Sequence, residues 1–75
     1  MEEKIKTIMA TVFGIDSQDI ADITSPDNVD TWDSINHLNL VVAIEEEFEI
    51  EFDEEEIINL VNYELIKEYV LNKFN

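Results

Sequence analysis

Near the start of the chain, Ile5, Ile8, Met9, Val12 and Phe13 recur at the spacing of one helical face. That period predicts a helix over residues 2–13, with Glu2 and Glu3 at its positive end and Gly14 as its stop. From residue 15 to residue 33 the period is lost in "IDSQDIADITSPDNVDTWD", where Asp, Ser, Asn and Pro26 favour turns. Ile15, Ile20, Ile23 and Val29 are its expected apolar anchors. Connections longer than about 12 to 15 residues are uncommon in compact domains and often functional. A second helix is expected from Ser34 to about Phe48 or Glu49. Asp53 should cap a short third helix from Glu54 to about Leu60, whose first turn sets Glu54, Glu55 and Glu56 against the dipole. Asn62 is placed to cap a last helix, with Tyr63, Ile66, Tyr69, Val70 and Phe74 on its apolar face.

The second helix carries two apolar stripes. His37, Val41, Ile44 and Phe48, with Leu40 beside them, form the expected core face. Ile35, Leu38 and Val42 lie on another stripe, which continues into Glu46 and Glu49 with Glu45 nearby. An apolar strip rimmed by acids suits a docking surface for a basic partner. A helix packed on two sides has the same pattern, and periodicity does not separate the two.

Composition narrows the function classes. A chain of 75 residues is expected to be a single domain that buries roughly 60 to 65 percent of its unfolded surface, which disfavours a deep enzymatic cleft. Cysteine is absent, so any thiol chemistry must be brought in from outside. The start lacks a basic segment followed by a continuous apolar one, and no run of about 18 apolar residues occurs, so a cytoplasmic protein is expected. The formal net charge is −15, and between Lys6 and Lys67 every charged side chain is acidic. Such a field attracts basic partners and repels nucleic-acid phosphate. The plainer reading is that the acids only maintain solubility.

The stretch "TWDSINHL", residues 31–38, gathers the candidate chemistry. Asp33, Ser34 and His37 do not suit a catalytic triad, because serine and histidine would share one helical turn and no glycine-rich turn offers an oxyanion hole. His37 is expected to be a packed or hydrogen-bonded side chain. Asp27, Asp30 and Asp33 fail as a calcium loop, since the sixth position counted from Asp27 is Trp32 and the twelfth is Leu38. Asp-Ser at a helix start is ordinarily capping chemistry, and without Glu or Gln at residue 37 a box capped by Ser34 is incomplete. A hydroxyl there is also well placed to carry a phosphodiester, which the free N–H groups and the helix dipole would favour.

The residues "DSINHLNLVVAIEEEFEIEFDEE", 33–55, resemble the acyl carrier protein family, in which a helix opens with Asp-Ser-Leu and runs through an aliphatic stretch into Glu-Glu-Phe. The similarity extends to "FGI" at residues 13–15 and "KEYV" at residues 67–70. The resemblance implies an all-α four-helix bundle with a short third helix and a long loop between the first two helices. It implies a covalent 4'-phosphopantetheine arm on Ser34, taken from coenzyme A and ending in a thiol that holds acyl groups as thioesters. Such a chain is a carrier and not an enzyme, and it is expected to be monomeric and to bind neither nucleic acid nor membrane. Its implied partners are a phosphopantetheinyl transferase and acyl-loading and acyl-modifying enzymes with basic patches. By position, Asp33 matches the acid before the modified serine, and Ile35, Val42, Glu45 and Glu46 match partner-facing positions, beside Leu38 of the same strip. Asn36 and Asn39 stand where fatty-acid carriers commonly have acids, and Trp32 replaces a small or aliphatic residue. The resemblance leaves the pathway open between fatty-acid synthesis and specialised polyketide, peptide or cell-envelope synthesis. The reading from another class is an unmodified acidic adaptor or nucleic-acid mimic.

Overall fold

The computed structural model describes residues 1–74. Four helices occur in order along the chain: α1 (Glu2–Phe13), α2 (Ser34–Phe48), α3 (Glu54–Asn59) and α4 (Tyr63–Lys73), with a 3₁₀ turn at Ser17–Asp19 in the first connection. Helix α1 buries Ile5, Met9 and Phe13, and ends at Gly14, whose φ of 68° is the left-handed conformation that glycine adopts without strain. Leu40, Val41 and Ile44 of α2, Leu60, and Tyr63, Ile66 and Val70 of α4 complete the central core. Helix α2 stops at Glu49, which takes the left-handed conformation (φ 55°) although it has a side chain. No helix among the described residues is long and apolar enough to cross a membrane.

The long connection has no hydrophobic period because specific contacts hold it. Ile20, Val29 and Trp32 are buried, and Ile15 packs at the core's edge. Ile23, an expected anchor, is instead 79% exposed. Thr24 takes the inward place because its Oγ1 accepts the Ala21 N–H at 2.8 Å, while its carbonyl accepts the Tyr63 N–H at 3.0 Å and ties the loop to α4. Thr31 Oγ1 donates to the Phe13 carbonyl at 2.7 Å, closing the other end of the loop onto α1.

Helix α3 has six residues, too few to be stable alone, so its ends must be held. Asp53 and Glu56 form a reciprocal capping box: Glu56 N–H donates to Asp53 Oδ1 at 2.8 Å, and Asp53 N–H to Glu56 Oε1 at 3.0 Å. Lys73 reaches the same Glu56 oxygen at 2.8 Å. The Lys73 hydrogen bond, then the backbone of Asp53, hold the Glu56 carboxyl below the usual carboxylate range. Asn62 caps α4 by accepting the Leu65 N–H. Phe74, expected on the apolar face of α4, lies just past its end and is 53% exposed, meeting Phe48 only edge-on.

Candidate functional site

The site is built at the start of α2. Asp33 is the cap: its carboxylate accepts the Asn36 N–H at 2.8 Å and its carbonyl the His37 N–H at 2.8 Å. Ser34, whose capping role the sequence left open, occupies the first helical position instead. Its hydroxyl is exposed and has no hydrogen-bond partner among the described residues, and neither do the N–H groups of Ser34 and Ile35. One residue therefore caps and the next is left free. Two unpaired N–H groups at the positive end of a helix of 15 residues favour an attached phosphate, so the site fits a phosphodiester.

His37 stays outside this chemistry, as a hydrogen-bonded side chain. Its Nδ1 accepts the Trp32 indole N–H at 2.9 Å, which leaves Nε2 to carry the proton and donate to the Ile57 carbonyl at 2.8 Å. Trp32 is 5% exposed, stacked on Phe13 with ring centres 4.8 Å apart and on His37 at 6.1 Å. The tryptophan thus fills the junction of α1 and α2, and His37 carries the contact on to α3. Asn36 adds a support of its own by donating to the Thr31 carbonyl at 2.8 Å.

The second apolar stripe of α2 is not packed: Ile35, Leu38 and Val42 are 73%, 56% and 52% exposed. Glu46 is exposed beyond them. Glu45 differs from the expected partner-facing acid, being half-buried, with Oε2 accepting the Phe52 N–H at 2.8 Å. The loop before α3 needs that acceptor because its backbone has no helical partner there. From Ser34 an open groove of about 590 Å³ runs past Trp32, His37 and Leu38 towards Ile58 and Val61.

This geometry agrees with what the chain is similar to. The model of the phosphopantetheine attachment site family matches residues 3–70. An acyl carrier protein of Buchnera aphidicola subsp. Baizongia pistaciae (strain Bp) is 36% identical over 74 residues, covering 93% of this chain and 95% of that protein. The solution NMR structure of the holo acyl carrier protein from Geobacter metallireducens superposes with a TM-score of 0.87 at 32% identity, covering 97% of this chain and 84% of that one. The chain belongs to the acyl carrier protein family, the carriers with a phosphopantetheine attachment site. The expected all-helical bundle is the one observed.

Proposed function

We propose that Ser34 is the attachment point and that the chain works as a monomeric, cytoplasmic carrier of one domain, without catalysis of its own. The observation that carries this reading is the division of labour between Asp33 and Ser34, which frees one exposed hydroxyl at a helix start inside the family's matched region. In the attachment, Ser34 Oγ would displace the adenosine bisphosphate half of coenzyme A at phosphorus, its proton passing to a base on the transferase. Once in place, 4'-phosphopantetheine supplies the thiol that cysteine does not, and holds acyl groups as thioesters. Ile35, Leu38 and Val42 with Asp33 and Glu46 form the face offered to the transferase and to acyl-handling enzymes. Glu45 serves that face indirectly, by fixing the loop behind it. The acids guide encounter with basic patches and the apolar side chains supply the dry contact.

Incubation of wild type and Ser34→Ala with coenzyme A, magnesium and a broad transferase tests the reading. Mass spectrometry should show one phosphopantetheinyl group on wild type and none on the variant, at a rate that falls with salt as screening shortens to about 10 Å near 0.1 M. A wild-type protein that gains no mass would instead favour the unmodified acidic adaptor.

A further inference from the structure

The first connection places Ile23 in water and holds it there. At 79% exposure it is the most exposed large apolar side chain among the described residues. Its backbone is pinned on both sides: the carbonyls of Asp22, Ile23 and Thr24 accept in turn the Glu64 N–H at 3.4 Å, the Asn28 side-chain amide at 3.0 Å and the Tyr63 N–H at 3.0 Å. Two of these donors are N–H groups at the start of α4, where helical partners are lacking, and Asp22 is tied to the same helix by Lys67 at 2.9 Å. Turning Ile23 inward would break bonds that the turn and α4 both need. Beside it lies an open groove of about 600 Å³, with Phe13, Ile15 and Val29 among its apolar walls and the exposed acids Asp19 and Asp30 lining it too. Neither acid meets a cation among the described residues. This groove and the one at Ser34 share a stretch of loop as wall, since Thr24, Asn28 and Val29 line the first while Pro26 and Trp32 line the second.

We propose that the Ile23 groove is a second docking point for the phosphopantetheinyl transferase, which packs an apolar side chain against Ile23 and sets basic side chains against Asp19 and Asp30. Charge selects the occupant. With a net charge of −15 the chain repels a second copy of itself, anionic lipid and nucleic-acid phosphate, whereas two unpaired carboxylates on an apolar groove match a basic surface with an apolar centre. Continuity with the serine selects the transferase among basic proteins. An interface of ordinary size covers about 800 Å² on each partner, a sizeable share of the 4833 Å² that this chain exposes, and so takes in two grooves with a common wall. A single apolar stripe on α2 lets a partner pivot about it. A second contact across the loop fixes the direction from which Ser34 Oγ meets phosphorus. Because Ile23 is already held in place, its burial loses little freedom. Ile23 touches no reacting atom and acts in binding alone, and the proposal rests on attachment at Ser34.

The test follows attachment to the full chain by a broad transferase with coenzyme A and magnesium, at several concentrations of the chain. Ile23→Ala should raise KM roughly tenfold, about what two buried methylenes are worth, without lowering kcat, and Ile23→Leu should recover most of that loss. Asp19→Asn combined with Asp30→Asn should also raise KM and make it less sensitive to salt. A second measurement needs no attachment: in the isotope-labelled Ser34→Ala chain mixed with the transferase, the backbone amide signals of Ala21, Ile23 and Asp30 should move together with those of α2. A wild-type KM in Ile23→Ala, or amide shifts confined to α2 and α3, would overturn the second docking point and leave the attachment reading standing. Dimerisation of the chain alone that Ile23→Ala abolishes would overturn it in favour of a second copy. A wild-type chain that takes up no phosphopantetheinyl group would overturn the attachment reading and this one together.

Discussion

The chain contains the dipeptide Asp-Ser twice, at residues 16–17 and 33–34, and the structure treats the two pairs alike only at the aspartate. Asp16 accepts the Gln18 N–H at 2.9 Å and Asp33 the Asn36 N–H at 2.8 Å, so each acid caps and each serine becomes the first residue of the element. After that they part. Ser17 opens a three-residue 3₁₀ turn and is half-buried, whereas Ser34 opens a helix of 15 residues and is exposed beside a groove. A dipole grows from aligned peptide units, so only the second pair puts its hydroxyl at a substantial positive end. The dipeptide is therefore no site in itself. The length of the helix that the serine opens makes the difference.

Removing the two caps should give the largest stability contrast. Asp33→Ala should destabilise the protein by about 0.5 to 2 kcal/mol, because α2 loses the side-chain cap at its start, while Asp16→Ala should stay within about 0.5 kcal/mol in thermal denaturation. Equal losses would mean the short turn is as important as the helix start. Ser34→Ala should also shift stability by less than about 0.5 kcal/mol, since its hydroxyl has no hydrogen-bond partner among the described residues, the cap being Asp33. A loss as large as that of Asp33→Ala would return the capping role to the serine.

A smaller effect sharpens the comparison through a third aspartate start, Asp53, where Glu56 completes the box. The Glu56 carboxyl is held below its ordinary range in the folded protein, so its contribution is full above the unfolded carboxylate range and is lost as pH falls through the lowered value. The stability difference between wild type and Glu56→Gln should accordingly be steady near neutral pH and shrink towards acid in denaturation curves. A difference that grows towards acid would contradict the assigned direction.

The helix boundaries were legible because each start carries a local signal: Asp53 and Asn62 cap as their types predict, and Gly14 stops α1. The core face of α2 emerged from period alone. Its other stripe was ambiguous in sequence, since exposure depends on what α3 covers, and six residues cover little. Ile23 is not the anchor its type suggests, because burial in an aperiodic loop is set by which backbone groups find partners, and Thr24 finds them. Glu45 looks free in sequence because its partner, the Phe52 N–H, lies seven residues away in a loop with no pattern of its own. The contact through His37 ends on Ile57, 20 residues away, and no local spacing signals it. Trp32 was the visible clue, as a large ring where a small residue was expected.

The central claim is that of the three serines, Ser17, Ser25 and Ser34, only the last is presented for attachment. Tandem mass spectrometry of peptides from the modified wild-type protein tests this directly. The phosphopantetheinyl group is expected on the peptide bearing Ser34 and on no other. The same group on Ser17 or Ser25 would contradict the claim.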